Sequence, residues 1–346
     1  MSVASIYDVA KLAGVSPSTV SLVLSGRGEQ ARISVATRQR VNVAAQQLHY
    51  RPNISARRLR SASSRSPDYV IALFCVMDIR AMTMGRMLMG LQQAMLEQSR
   101  EIELMVQPYM SGELAKLHCW DVASAFDGAI IANASVQDLE QMEQRDPQVP
   151  IVLFQRQSKR FSTVLSDNEA VGRVSAQLFA SHGRKHVAVV LPQPEAFGST
   201  TRLQYFLDEA KRLNLSVAPE HIVNDEMTMA GGHRAMEALL HTGQMPDAVF
   251  FISDLMAAGA LPVLDEAGIR VPQQMDILCH GDNEVDSFTK PTLSTTRMPV
   301  EEITSKCMEL LLELIESKDP TPRSIMLDAP LIIRQSCPGF PAGWPK

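Results

Sequence analysis

Apolar residues recur with helical spacing from the start of the chain. Ile6, Val9, Ala10 and Ala13 stand at i, i+3, i+4 and i+7, which is one face of a helix. Ser5 and Asp8 have the spacing of a capping box at its start, a hydroxyl cap with a carboxylate reaching back. Gly14 supplies the left-handed residue that ends it. Ser16 can then cap a second helix, with Pro17 at its first position, where a missing N–H costs nothing. In that helix Val20, Val23 and Leu24 face inward, while Ser18, Thr19, Ser21 and Leu22 lie on or near the other side. A third helix is expected after Ser34, with Val41, Ala44, Ala45 and Leu48 as its buried stripe. A helix, a glycine turn and a second short helix form the unit that presents a small helix to the DNA major groove.

Further along, short apolar runs alternate with helical stretches. Tyr69–Phe74, Gly128–Ala132, Ile151–Phe154, Val187–Leu191 and Ala248–Ile252 read as strands. Met87–Leu96, Val171–Ser181, Arg202–Leu213 and Met256–Ala267 read as helices. Strands alternating with helices predict parallel sheets covered on both faces, an α/β body. At 346 residues the chain exceeds one ordinary domain, and a small head with one large body fits better.

Charge changes the picture. Residues 1–66 hold Lys11 and nine arginines against two acids, Asp8 and Glu29, a net of +8. The whole chain carries −5, so the remainder carries −13. A basic head on an acidic body is the electrostatic footprint of a nucleic-acid binder. A bare three-helix bundle would not need that asymmetry. No apolar run reaches bilayer length and the N-terminus lacks a secretory core, so a cytoplasmic protein with no membrane partner is expected. Five scattered cysteines with no CxxC pairing suggest reduced thiols rather than disulfides or zinc.

Tyr7-Asp8-Val9-Ala10, Ala13-Gly14-Val15-Ser16, Thr19-Val20-Ser21, Tyr50-Arg51-Pro52-Asn53 and Ala56-Arg57-Arg58-Leu59 together resemble the lactose-repressor (LacI/GalR) family. The resemblance implies a transcription regulator, most often a repressor, that binds a palindromic double-stranded operator as a homodimer and answers to a small molecule. It implies a helix-turn-helix head over 1–50, a hinge helix and linker over 51–66, and an effector-binding and dimerisation body over 67–346. DNA contacts carry over to Ser5, Tyr7, Ser16, Pro17, Ser18, Thr19, Ser21, Leu22, Ser25, Arg38, Tyr50, Asn53, Ala56, Arg57 and Leu59. Tyr7, Ser16, Thr19, Ser21 and Arg38 would mainly meet phosphates, which position the helix. Pro17, Ser18 and Leu22 fall where relatives read base edges. Leu22 stands where an arginine usually binds guanine, and leucine cannot make that bidentate contact, worth about 1–3 kcal/mol of discrimination. The segment from Asn53 to Arg60 resembles a hinge helix too short to be stable alone, formed only on DNA. Leu59 would be its wedge between base pairs, Ala56 would allow close approach to the minor groove and Arg57 would meet phosphate.

In the body, Phe126-Asp127-Gly128-Ala129-Ile130-Ile131, Ser166-Asp167-Asn168, His182-Gly183-Arg184-Lys185-His186, Asp265-Glu266-Ala267-Gly268 and Lys290-Pro291-Thr292-Leu293-Ser294-Thr295 match family landmarks in order. They imply two Rossmann-like subdomains of the periplasmic-binding-protein type with a cleft between them. The three crossovers are expected near Leu165, Ser294 and Pro322. That makes one subdomain about 68–165 with 295–322, the other about 166–294 with 323–340. Effector residues carry over to Asp167, Arg202, Met227, Ser253 and Asp282. An arginine beside a carboxylate suits vicinal hydroxyls or a small carboxylate, so a sugar or sugar derivative is implied. A structural salt bridge is the competing account of the same charges, and Asp254 reads as a helix cap.

Departures from the family pattern bear on the ligand. Ala81-Met82-Thr83-Met84 replaces an aromatic-containing stretch, Met227 lies where an aromatic commonly stacks on a sugar, and Gly281 replaces an aromatic. Methionine adapts its shape, which fits an unusual ligand or a pocket without tight binding, the latter making a partner-regulated or effector-independent regulator. An enzyme is disfavoured: the chain has no HExxH, GxSxG or P-loop, and no cofactor or metal is implied. His118, His182, His186, His221, His233, His241 and His280 stand singly, which reads as surface or satisfied core. Gly231-Gly232 reads as a helix-start turn rather than a phosphate cradle. A transport binding protein is opposed by the basic head and by the lack of a signal peptide.

Overall fold

The computed structural model describes residues 5–24, 31–48, 67–77, 83–121, 125–145, 147–193 and 197–344. The head is three helices, α1 (Ile6–Ala13), α2 (Pro17–Leu24) and α3 (Val35–Gln47). The capping box forms as its spacing predicts: Asp8 N–H donates to Ser5 Oγ at 3.3 Å, and Ser5 N–H donates to Asp8 Oδ2 at 2.8 Å. Gly14 ends α1 in the left-handed conformation, with φ of 65°. Ser16 Oγ accepts from Thr19 N–H at 3.1 Å and Ser34 Oγ from Thr37 N–H at 3.2 Å, so both later helices begin on a serine. Val9, Ala10, Ala13, Val20, Val23, Val41, Ala44 and Ala45 close a small core, with Leu24 and Leu48 packed at its margin.

The body holds two six-stranded sheets. The first runs β11-β5-β4-β3-β1-β2 and is parallel throughout. Its strands are β1 (Tyr69–Val76), β2 (Ile102–Tyr109), β3 (Gly128–Ala132), β4 (Ile151–Phe154), β5 (Ser162–Ser166) and β11 (Ser324–Leu327). Alternate residues serve opposite faces. Ile71, Leu73, Ile130 and Val152 pack on α4 (Met84–Leu96) and α10 (Val300–Ser317), while Ala72, Phe74, Ala129 and Leu153 pack on the side of α5 (Val136–Arg145). Burial on both faces is why these strands read as unbroken apolar runs.

The second sheet runs β12-β10-β9-β8-β6-β7, parallel except for β12 on β10. Its strands are β6 (Val187–Gln193), β7 (Ile222–Glu226), β8 (Ala248–Phe251), β9 (Asp276–Gly281), β10 (Ser294–Arg297) and β12 (Leu331–Ile332). One face carries α6 (Asn168–Ser181) and α7 (Phe197–Arg212), the other α8 (Met229–Leu240) and α9 (Asp254–Glu266). The glycine pair opens α8 as its spacing suggests: Thr228 caps the helix through Gly231 N–H at 2.9 Å. Gly232 lets α8 lie on α9, since a Cβ there would stand 1.9 Å from the Met256 carbonyl oxygen.

The chain passes between the sheets three times. The first passage follows β5, where Asp167 N–H donates to Leu327 O at 2.9 Å. The other two fall later than the sequence suggests. β10 pairs with β9 in the second sheet, and β11 pairs with β5 in the first. The exchanges therefore lie at 298–299 and 328–330 rather than near Ser294 and Pro322, and the 294/295 and 322/323 subdomain boundaries are corrected to match. Ser-Thr-Thr-Arg carries no apolar run, and β11 is a half-exposed edge strand, so neither advertises its sheet.

Candidate nucleic-acid interface and small-molecule site

In the head, packing of Val20 and Val23 against α1 and α3 turns the opposite side of α2 outward. Ser16 and Ser18 are exposed, and Pro17, Thr19, Ser21 and Leu22 are half-buried beside them. Tyr7 on α1 is 71% exposed, the largest exposure among the head's described apolar side chains. Arg38 on α3 is half-buried. Ser5, Ser16 and Thr19 spend hydroxyl groups on caps, Ser16 Oγ lying 2.9 Å from Thr19 Oγ1. Ser25, Tyr50, Asn53, Ala56, Arg57 and Leu59, with the hinge segment over 51–66, lie outside the described residues.

In the body, four of the five expected effector residues come just after the carboxyl end of a strand. Asp167 follows β5, Met227 follows β7, Ser253 follows β8 and Asp282 follows β9, while Arg202 lies on the helix after β6. That is where open α/β sheets gather ligands. First-lobe Arg86, on α4, is raised in pKa first by its bond to Glu301 and further by the charges of Asp254 and Asp282. Charges of the two lobes therefore act on one another across this region.

The individual contacts depart from the expected pairing. Arg202 and Asp282 do not pair. Asp282 Oδ1 accepts from Arg334 Nη2 at 2.7 Å, and its Oδ2 lies 4.0 Å from Arg297 Nε. Arg334 lies just after β12, the strand that returns last, and 52 residues from Asp282, so sequence spacing gives no hint of it. Asp167 caps α6, accepting from Ala170 N–H at 2.8 Å. Ser253, buried, occupies the cap position of α9 without a side-chain bond, and Met227 is half-buried.

Asp254 is not the cap its position suggested. It lies in the first turn of α9, where its Oδ2 accepts from Asn283 N–H at 2.9 Å and from Asn283 Nδ2 at 2.7 Å. Gly281 makes room for it: φ is +151°, and a Cβ would stand 2.3 Å from Asp254 Oδ2. The glycine in place of an aromatic thus has a packing cause. Asp286 is fully buried and neither carboxylate oxygen has a hydrogen-bond partner. Burial, reinforced by Asp254, pushes its pKa up to about 8.

Arg202 is 8% exposed. Its Nη1 donates to Asn168 Oδ1 at 2.5 Å and its Nε has no partner. Burial brings its pKa down to about 9. His280 is the residue that sequence reasoning missed. It is buried, and its Nδ1 lies 2.9 Å from Thr296 Oγ1 while Nε2 has no partner. Burial first, and then the charge of Arg202, holds its pKa well below the ordinary histidine value. Strand parity would have placed it on the face of Leu278, toward α6 and α7, but gives no sign of an unmet ring nitrogen.

His182, Asp276 and Cys337 also bring ligand-type atoms within 4.8 Å of one another. Asp276 is already spent there, taking His182 Nδ1 at 2.7 Å on one oxygen and Arg184 Nη2 at 2.7 Å on the other. Among the described residues no helix is long and apolar enough to cross a membrane.

Comparison with known proteins bears on the whole chain. Residues 5–53 match the model of bacterial regulatory proteins of the lacI family, and residues 176–337 match a periplasmic binding protein-like domain. The HTH-type transcriptional repressor PurR of Aliivibrio fischeri is 24% identical over 345 residues, covering 96% of this chain and 98% of its own. A LacI family transcription regulator from Clostridium acetobutylicum is similar in structure, with a TM-score of 0.74, 31% identity and coverage of 78% of this chain and 100% of its own. The transcriptional regulator CelR in complex with cellobiose has a TM-score of 0.69 and 25% identity, over 96% of this chain and 99% of its own. A helix-turn-helix head, two parallel-sheet lobes and these matches together place the chain in the LacI family of DNA-binding bacterial transcription regulators, and not among enzymes.

Proposed function

We propose that the protein is a homodimeric, cytoplasmic repressor of transcription that binds a palindromic operator, its affinity set by a sugar or sugar derivative held between the lobes. The observation that carries this reading is the outward side of α2 and the open Tyr7, within residues 1–66 of net charge +8. Two heads related by a two-fold axis suit two half-sites, each α2 entering a major groove. Tyr7, Ser16, Thr19, Ser21 and Arg38 meet phosphates and Pro17, Ser18 and Leu22 face bases, while the segment carrying Leu59 folds in the minor groove. The cellobiose bound to CelR supports a sugar-like effector. Arg202, Asp282, Asp167, Ser253 and Met227 are its candidate contacts. Effector binding shifts operator affinity through a different affinity for two lobe arrangements, a coupling of about 1–3 kcal/mol in other proteins.

Selection of bound sequences from random double-stranded DNA with the full chain tests the DNA half. The expected product is a palindrome without the family's guanine at the base pair facing Leu22. Return of that guanine, or of no palindrome, would sink the assignment of Leu22 or of the paired heads.

A further inference from the structure

Among the described residues Arg202 is a charge without a counter-charge. No described carboxylate lies within 4 Å of it, and the acids that follow the strand ends are engaged elsewhere. Asp282 is held by Arg334, Asp167 caps α6 and Asp254 holds Asn283. Among the described residues its bond is to a neutral amide, Asn168, whose Nδ2 is itself held by Ser166 O at 3.1 Å. A cleft that reads vicinal hydroxyls needs a donor and an acceptor side by side. Here the donor stands alone.

His280 completes the set. Thr296 Oγ1 is 3.4 Å from the Cys279 carbonyl oxygen, which takes the hydroxyl proton and leaves a lone pair for His280 Nδ1–H. The ring is then neutral, with a bare lone pair at Nε2. The charge acting on it is Arg202, from α7, while β10 contributes only the Thr296 bond. An oxyanion arriving at Arg202 reverses that balance. A repelling cation becomes part of a neutralised pair, and a proton taken from water onto Nε2 makes the ring a second donor.

From this we propose that the effector is an oxyanion, a sugar acid or a sugar phosphate, bound through Arg202 with proton uptake by His280. The inference rests on the cleft reading above and narrows its ligand class. His280 sets specificity, since its neutral form offers a lone pair that an anion avoids. Binding therefore tightens as pH falls, by up to about tenfold per unit for one proton taken up.

Melting of the full-length protein, at matched ionic strength, provides the test. The probes are inorganic phosphate and acetate against chloride, and glucose against glucuronate and glucose 6-phosphate. The expected result is stabilisation by oxyanions, larger at pH 6 than at pH 8, absent in Arg202→Met and lacking its pH dependence in His280→Gln. Phosphate and acetate arms separate a phosphate site from a carboxylate site. Without probe, Arg202→Met is expected to melt no lower than wild type, because it removes an unneutralised buried charge. A lower melting point there, repeated in Arg202→Gln, would make the residue structural and overturn the inference. Stabilisation by neutral glucose but not by the anions would overturn it too, leaving the cleft reading intact. No shift with any probe would count against both.

Discussion

Asp286 shows how a single side chain can be set against its surroundings. Its carboxylate is fully buried, 3.9 Å from Arg334 Nη1 and without a hydrogen bond. An acid whose folded pKa is about 8 ionises in the unfolded chain near the ordinary value, about four units lower. Folding therefore loses stability as pH rises from about 4 to about 8. Asp286→Asn removes that penalty. Its melting point is expected to match wild type near pH 4 and to exceed it at pH 8, by at least about 1 kcal/mol, one unit's worth. A constant difference across that range would show that Asp286 does not take up its proton on folding. At this scale the charged residues of the cleft were legible as residue types, and their partners were not. Asp282 and Arg202 both carry suitable chemistry, but which cation meets Asp282 depends on where Arg334 returns.

At the scale of elements, the C-terminal segment is pinned rather than merely packed. Cys337 N–H donates to Ser294 Oγ at 3.3 Å, and Ser294 Oγ donates to Cys337 O at 2.7 Å. His182, at the end of α6, faces Asp276 through Nδ1 and the Gly339 carbonyl through Nε2, at 2.7 and 3.1 Å. Both partners only accept, so the ring carries both protons and the clamp is ionic. The bond to Asp276 is the main reason the His182 pKa lies above its ordinary value. A raised histidine stabilises fully below its unfolded pKa and ceases to do so as pH rises through the folded one. His182→Gln is therefore expected to cost about 1.5–3 kcal/mol at pH 6, as for bonds to charged groups, and much less at pH 9. Equal losses at both would mean that the ring acts by packing alone. Strands β1, β3, β4, β6 and β8 and helices α4, α6, α7 and α9 were legible from their apolar runs, whereas the interior strands β5 and β9 and helices α5, α8 and α10 were not read. Nor were the edge strands β2 and β11, which carry exposed residues, or the interior strand β10, whose Ser-Thr-Thr-Arg has no apolar run.

For the whole molecule, exposed apolar residues occur on the head and on both lobes, and α4 and β2 of the first lobe carry several of them. Met89 and Leu96 on α4, Val106 on β2 and Met110 just after it are all exposed. Exposed apolar side chains on one helix and its neighbouring strand suit a protein contact, and a second copy of this chain is the partner that the palindromic operator proposed above calls for. Met89→Glu with Leu96→Glu is expected to convert a dimer to a monomer in sedimentation and to weaken operator binding at least tenfold. An unchanged dimer would move the contact elsewhere.

What the sequence determined by itself is whatever rests on neighbours along the chain. The capping box of Ser5 and Asp8, the left-handed Gly14, the serine starts of α2 and α3 and the parallel strand cores depend on local spacing and on burial of both sheet faces. So does the charge contrast between head and body. Only the tertiary structure decided which sheet received β10 and β11, why Gly281 must lack a side chain, and which partners the cleft charges have. Those outcomes depend on pairings between distant segments, whose free energy is written in no stretch of sequence. A buried charge has no local pattern, because its cost is set by what folding brings beside it.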